Sequence, residues 1–117
     1  MDENKKRHEE ALSETLCGIK KSFISDYVKA IYLYGSYVRG DYSWDSDIDL
    51  LMVLREDALK NRKVKKEIIW LKGNLTGEEL DAPEIDLKVV FGDEWQKSTD
   101  IYYKTILEEG VNVWERL

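Results

Sequence analysis

Asp47-Ile48-Asp49-Leu50-Leu51-Met52-Val53-Leu54 is the stretch of sequence that decides the fold. Side chains of a β-strand alternate between its two faces, so Asp47 and Asp49 should point the same way, with Cα atoms about 6.6 Å apart. The continuous apolar run that follows them is typical of a strand buried on both faces. The stretch therefore predicts a core strand that begins with a pair of carboxylates.

A carboxylate pair in this position suits a divalent metal. Carboxylates at the rim of a buried strand need a charged partner or a metal, and Mg²⁺ binds hard oxygen ligands together with phosphate and water. A third carboxylate, Asp86, lies within the apolar stretch Ile85–Phe91, which predicts a second buried strand. Asp86 could complete a metal site and accept the proton of an attacking hydroxyl. Alternatively, it is an edge-strand aspartate that pairs with Lys88 or with solvent.

A predicted phosphate-binding turn comes before the carboxylates. Gly35 follows a short apolar strand and permits a sharp turn and a close backbone approach. Ser36 is expected to N-cap a helical turn over Tyr37–Arg39, and Gly40 to end it. Backbone N–H groups at a helix N-terminus bind phosphate. Arg39 could contact a triphosphate or could equally be a solvated surface arginine.

The pattern Gly35-Ser36, ten residues, Asp47-x-Asp49, with Asp86 downstream, resembles the nucleotidyltransferase superfamily that includes DNA polymerase β and kanamycin nucleotidyltransferase. The sequence is most similar to the minimal nucleotidyltransferases, which are small single domains often encoded beside a HEPN-domain protein. The resemblance covers most of the chain. It implies that Gly35 and Ser36 hold the triphosphate and that the three aspartates bind two Mg²⁺ ions.

The resemblance also implies a reaction. A hydroxyl of an acceptor attacks the α-phosphate of ATP or another nucleoside triphosphate, and pyrophosphate leaves. The implied acceptor is a HEPN toxin neutralised by AMP transfer, which would make this chain its antitoxin. Two alternatives stay open: an antitoxin that acts by contact alone, and transfer to a small molecule such as an aminoglycoside, with a homo-oligomer supplying the missing wall.

The order of patterns along the chain predicts an α+β fold, a small mixed sheet of about four strands with helices packed against it. The strands of Asp47 and Asp86 must be neighbours if the carboxylates are to converge. Residues 76–83 are rich in turn formers and predict a loop. Helices are also expected from about Asn4 to Ser25 and from about Glu56 into Leu71. A third helix is expected to start near Glu94, capped by Asp93, to restart at Asp100 and to end at Gly110. The last strand is expected at Val111–Trp114.

Composition excludes several classes of protein. A chain of 117 residues supports a single domain over residues 1–117. With 18 basic and 24 acidic residues its formal charge is −6, and no basic cluster accompanies a stacking platform, so long nucleic acid is not an expected substrate. The sequence has no apolar run long enough to span a membrane. A single cysteine, Cys17, fits a reducing cytoplasm.

Several residues that could attract a functional interpretation are expected to be structural. His8 lies in a charged terminal helix and is predicted to be a surface residue. Cys17 is predicted to pack within the first helix rather than to act as a nucleophile. Tyr42 and Trp44 could stack on a base, but packing against the protein's own scaffold is favoured.

Overall fold

A mixed four-stranded sheet forms the centre of the molecule. The computed structural model describes residues 2–75 and 82–114. The strand order is β3-β2-β1-β4, with β2 and β3 parallel and the other neighbouring pairs antiparallel. This architecture confirms the predicted α+β fold. The strands are β1 (Val28–Tyr34), β2 (Ile48–Leu54), β3 (Ile85–Phe91) and β4 (Val111–Asn112).

The described residues form four α-helices and three 3₁₀ helices around these strands. The α-helices are α1 (Glu3–Lys21), α2 (Ser36–Arg39), α3 (Arg62–Asn74) and α4 (Ile101–Glu109). The 3₁₀ helices are Phe23–Tyr27, Glu56–Lys60 and Glu94–Lys97. None of the helices in the described ranges is both long and apolar enough to cross a membrane.

The first two predicted helices are each interrupted at a capping residue. The helix expected from Asn4 to Ser25 ends at Lys21, because the Ser22 hydroxyl accepts a hydrogen bond from the Ile24 amide at 3.2 Å and starts a separate 3₁₀ turn. Similarly, the helix expected to begin at Glu56 divides at Asn61. The Asn61 side chain accepts from the Lys63 and Val64 amides at 2.9 and 3.3 Å and begins α3.

The last predicted helix is also divided. Asp100 caps α4 as expected, because its carboxylate accepts from the Tyr102 amide at 2.9 Å. Asp93 occupies the N-cap position of the helix that starts at Glu94, as predicted, but its carboxylate makes no capping hydrogen bond and instead accepts from Lys29 Nζ at 2.7 Å. The final strand stops at Asn112, two residues earlier than expected. Of the predicted 76–83 loop, residues 76–81 lie outside the described ranges.

The two faces of the sheet are covered differently. On one face, α1 and α3 pack over aliphatic residues of β1 and β2 and form the main core. On the other face, α4 and Trp95 form a smaller cluster with Tyr34, Leu51 and Val53. The alternation predicted for β3 is present: Ile85, Leu87 and Val89 belong to the main core, which leaves Asp86 and Lys88 on the second face.

Two expectations about burial are wrong. β3 was expected to be a buried strand, with an edge strand as the alternative; it is the edge strand of the sheet, and only its residue Leu87 is buried. It is covered less because, within the described residues, β2 is its only paired neighbour. Cys17 was expected to pack in a core, but it lies on the exposed face of α1.

Candidate active site

On the second face of the sheet, polar side chains from three neighbouring strands lie side by side in a row at one end of the strands. Asp86 of β3 is in register with Asp49 of β2, and Asp49 is in register with Tyr34 of β1. Because β2 and β3 are parallel, both strands begin at this end and bring their carboxylates side by side. The prediction that the strands of Asp49 and Asp86 are neighbours is therefore confirmed.

Asp47 lies one residue before β2 and is exposed, whereas Asp49 is half-buried. The pKa of the Asp49 carboxyl is raised from its ordinary value of 3.8, first by burial and then by the negative charges of Asp86 and Asp47. The three carboxylates thus interact electrostatically. A cation placed among them would relieve both their repulsion and the cost of burying Asp49.

Gly35 is in direct contact with this carboxylate row. Its φ of 84° lies in the left-handed region. A Cβ built at this position would overlap Asp49 Oδ2. The sequence predicted a close backbone approach at Gly35, and the structure identifies Asp49 as the group that approaches. Any side chain at position 35 would displace the half-buried carboxylate.

The turn after Gly35 differs in one detail from its prediction. Ser36 is the first residue of α2 rather than its cap, since Gly35 occupies the N-cap position and no side chain caps the helix. The turn closes through hydrogen bonds from the Arg39 amide to the Gly35 carbonyl and from the Gly40 amide to the Ser36 carbonyl, at 3.2 and 2.9 Å. Gly40, with φ of 85°, ends it as predicted.

Two cations border the carboxylate row. Lys88 Nζ lies 3.6 Å from Asp86 Oδ1, so the alternative pairing considered for Asp86 is present. Arg39 forms ion pairs with Asp41 and Glu109, both at 3.5 Å. Both positive charges lower the pKa of Asp49 and so oppose the effect of its carboxylate neighbours. Lys88 faces the site because it follows Asp86 by two positions on the same strand face.

Two tyrosines, Tyr34 and Tyr102, lie beside Asp49 on the second face. The Tyr34 and Tyr102 hydroxyls hydrogen-bond to each other, and their rings meet edge to face at a centroid distance of 5.8 Å. Burial, followed by the hydrogen bond to Tyr102, raises the pKa of Tyr34 above its ordinary range. Tyr34 is therefore a neutral phenol at physiological pH.

His8 was predicted to be a surface residue, and this is wrong. The ring is fully buried, with Nδ1 2.9 Å from the Asn4 carbonyl oxygen and Nε2 3.0 Å from the Ser46 carbonyl oxygen. Its ring also stacks on Tyr37 at 5.6 Å and contacts Tyr42 at 4.8 Å. It therefore joins α1 to α2 and to the residue that precedes Asp47. The sequence carried a signal for this, because His8 continues the buried stripe of Ala11, Thr15 and Ile19 at helical spacing.

An open cavity of about 400 Å³ lies on the outer side of Asp47. Arg7 stacks on the Trp44 ring at 4.1 Å, donates a hydrogen bond to the Trp44 carbonyl oxygen at 2.7 Å, and lines the cavity together with Asp45 and Glu84. Tyr42 packs against His8 and Tyr37, as expected. Trp44 is 45% exposed and is held by Arg7 rather than by a core.

The donor chemistry of the row suits magnesium, which prefers carboxylate oxygens. Within residues 2–75 and 82–114, no three Asp, Glu, His or Cys side chains are placed closely enough together to form a ready-made metal cluster. The backbone register nevertheless holds Asp49 beside Asp86, and the pKa of Asp49 stays raised, by burial and then by its carboxylate neighbours, although Lys88 and Arg39 lower it. The carboxylates therefore fit the ion by chemistry and by strand position.

Residues 16–113 match the family model for the nucleotidyltransferase domain. The chain belongs to this family. This nucleotidyltransferase is 44% identical over 102 residues to "Putative protein adenylyltransferase MJ0604" of Methanocaldococcus jannaschii, an alignment that covers 87% of this chain and 93% of the relative. A second protein of that organism, "Putative protein adenylyltransferase MJ0141", is 38% identical over 69 residues, which is 59% of this chain and 70% of the relative.

A solved structure supports the fold independently. The crystal structure of a "putative nucleotidyltransferase" from Sulfolobus solfataricus superposes with a TM-score of 0.61, over 96% of this chain and 84% of that one. The two sequences are 21% identical, so the similarity concerns the fold alone. The family match confirms the prediction of a nucleotidyltransferase, an enzyme that moves a nucleoside monophosphate, and the superposition confirms the fold.

Proposed function

We propose that this nucleotidyltransferase transfers AMP from ATP to a side-chain hydroxyl of a partner protein. The partner we propose is a HEPN-domain toxin, for which the chain would act as antitoxin. The family membership supports nucleotidyl transfer, and the names of the two archaeal relatives support a protein acceptor. The observation that carries the proposal is the alignment of Asp49 with Asp86 across parallel strands, with Asp47 at the start of the same strand.

In this proposal the three aspartates, Asp47, Asp49 and Asp86, would hold magnesium. When bound, the metal would supply positive charge to the phosphate oxygens and to the attacking and leaving oxygens. The raised pKa of Asp49 supports this role, because a cation between the carboxylates would offset their mutual repulsion. Gly35 supports it as well, since its missing side chain leaves room for the Asp49 carboxylate.

The remaining residues of the site would bind and orient the reactants. The turn at Gly35 and Ser36 would receive the β- and γ-phosphates, and Arg39 would add positive charge at its end. The acceptor oxygen would form a bond to the α-phosphorus while the bond from that phosphorus to the bridging oxygen breaks, and pyrophosphate would leave. Asp86 would accept the hydroxyl proton, and Lys88 would stabilise the carboxylate before the substrates bind.

Label transfer tests this function directly. Each α-³²P-labelled nucleoside triphosphate would be incubated with magnesium, the purified protein and a lysate of the source cell. We expect a protein band labelled from ATP by the wild type and by Asp45→Asn, but not by Asp47→Asn or Asp49→Asn. Asp45 is a suitable control because it is an exposed carboxylate in the same loop but outside the row.

Other outcomes would replace the proposal. Label from a different nucleotide would correct the choice of ATP. Magnesium-dependent ATP binding without any labelled protein would favour an antitoxin that acts by contact, or a small-molecule acceptor. The HEPN assignment would be overturned if mass spectrometry of the labelled band identified a different class of protein.

A further inference from the structure

Helix α3 carries an exposed apolar surface that the main core does not use. Val64 and Leu71 face the sheet and are buried, whereas Ile69 and Trp70 are 73% and 58% exposed. On a helical projection, Gly73 lies directly opposite the buried stripe, and Ile69 and Trp70 lie on either side of Gly73. A Cβ at Gly73 would meet nothing within 4 Å, so the helix surface between the two apolar side chains is open.

The charge of α3 differs from that of the chain as a whole. The chain has a formal net charge of −6, yet α3 carries five basic residues and one acidic residue. The acidic residue, Glu67, accepts a hydrogen bond from Ser22 and is turned toward the body of the protein. The five cations are all exposed and form no ion pair within the part of the chain that the structure describes; they are Arg62, Lys63, Lys65, Lys66 and Lys72.

The topology places the last turns of α3 at the same end of the sheet as the carboxylates, but α3 packs on the main-core face and the carboxylates lie on the second face. The carboxylates lie at the beginning of β2 and β3, and α3 is the helix of the crossover between those parallel strands. The chain leaves the far end of β2 and must return to the beginning of β3. The last turns of α3, which contain Ile69 and Trp70, therefore lie toward the end of the sheet where Asp49 and Asp86 are found. A protein bound to α3 therefore has to extend around this end of the sheet to reach them.

We infer that the exposed face of α3 is the docking surface for the protein acceptor. The inference rests on the proposed transfer to a protein. The occupant is a protein with an acidic surface around an apolar pocket, which receives Trp70 and Ile69 while its carboxylates pair with the surrounding lysines. Tryptophan is enriched among the residues that contribute most to protein–protein affinity. Opposite charges on the two proteins would speed and orient their association.

The chain offers matched controls for this surface. Ile101 of α4 is 78% exposed, compared with 73% for Ile69, and Leu107 of α4 is 46% exposed, compared with 58% for Trp70. The test compares the double variant Ile69→Gln/Trp70→Gln with the control Ile101→Gln/Leu107→Gln. Lys66→Glu is compared with Lys104→Glu, an exposed lysine of α4. Surface substitutions of this kind change stability little.

Two quantities are measured for each variant: the rate of label transfer from α-³²P-ATP into the acceptor at limiting lysate, and the affinity for magnesium and a non-hydrolysable ATP analogue. We expect the α3 variants to lose at least about tenfold in transfer while their nucleotide affinity stays at the wild-type value. The α4 controls should keep both. Raising the salt concentration should weaken transfer by the wild type more than transfer by Lys66→Glu.

Equal transfer by the α3 variants and their controls would overturn the inference. So would oligomerisation of the purified wild type that Ile69→Gln/Trp70→Gln abolishes, since the occupant would then be a second copy. Binding of phosphatidylserine vesicles or single-stranded RNA that depends on Trp70 would also overturn it, in favour of a different polyanion.

If the wild type labels no protein, the proposed function fails, and a photo-crosslinker at position 70 tests the surface separately. The inference then survives only if the crosslinked protein is identified as acidic by mass spectrometry, binds the purified chain, and loses that binding with Trp70→Gln but not with Ile101→Gln. Any other crosslinking result, including the absence of an adduct, overturns it.

Discussion

Leu50 and Leu51 are neighbours in β2 and both are fully buried, but they face opposite sides of the sheet. On the side of Leu50, the strand belongs to the main core together with residues of α1 and α3, and all its residues on that face are apolar. On the side of Leu51, the same strand begins with Asp49, and the cover consists mainly of tyrosines and Trp95. The first side forms the main core, and the second leaves the Asp49 end of the strand accessible, where we propose the active site.

This difference shows how a single strand can serve both purposes. A period of two separates the residues of β2 into a fully apolar set and a set with one carboxylate at its end. The main core holds the strand in place, so the half-buried Asp49 is tolerated although its pKa is raised. The predictions below test the separation of the two sides, beginning with the largest expected effect.

The largest effect should come from Asp49→Asn, which should lower nucleotidyl transfer by on the order of 10³-fold. Folding stability in the absence of metal should not fall, because the substitution removes a repelled, half-buried charge. Transfer assays and thermal unfolding of the same preparations measure both quantities. A variant that loses activity and stability together would indicate that Asp49 contributes to the fold.

Truncation of the two leucines compares the two sides directly. Leu50→Ala should lower the free energy of unfolding by about 3–5 kcal/mol, because the surrounding aliphatic core cannot close the cavity. Leu51→Ala should cost less, about 2–3 kcal/mol, because the smaller cluster lies next to an open edge and can relax. Urea unfolding of both variants gives the comparison. Equal losses would mean that the two sides are equally rigid.

Much of this arrangement is predictable from local sequence. The apolar run after Asp49 predicts the central strand, and the alternation around Asp86 predicts which of its neighbours face the core. The sequence analysis did not predict the helix interruptions at Ser22 and Asn61, although both are strong capping residues, because hydrophobic periodicity continues across both positions. The edge position of β3 depends on which strands pair, which a periodicity of two does not encode.

His8 shows more clearly what the local sequence does not predict. Its contact with the Ser46 carbonyl spans 38 residues, and no local pattern specifies that partner. The helical stripe could have predicted its burial, but not that a histidine would fix the loop before Asp47.

His8→Ala should therefore affect both stability and the site. The substitution removes a buried ring, and with it the contacts of both ring nitrogens with carbonyl oxygens, which should cost about 1–3 kcal/mol of unfolding free energy. At a temperature where the variant is fully folded, transfer should still be reduced, since the Ser46 carbonyl loses its anchor next to Asp47. Glu9→Ala, at the exposed neighbouring position, is the control and should change neither quantity. Unimpaired transfer by the folded His8→Ala protein would limit His8 to a structural role.

The smallest expected effect is a pH dependence of stability that arises from Asp49. Its folded pKa is raised above 3.8, so between that value and the folded pKa the native protein binds more protons than the unfolded chain. Stability without metal should therefore fall as pH rises through this window, with the penalty fully present above the folded pKa.

Asp49→Asn should be more stable than the wild type at neutral pH, and the difference should shrink as pH approaches 3.8. Magnesium should stabilise the wild type at neutral pH more than this variant, because the variant keeps only the carboxylates of Asp47 and Asp86 and has less negative charge to neutralise. Thermal unfolding with and without magnesium measures both differences. If the two proteins shift in parallel with pH and respond equally to the metal, the repulsion among Asp47, Asp49 and Asp86 has no energetic consequence, and the open edge of the sheet loses its strongest electrostatic argument for a metal.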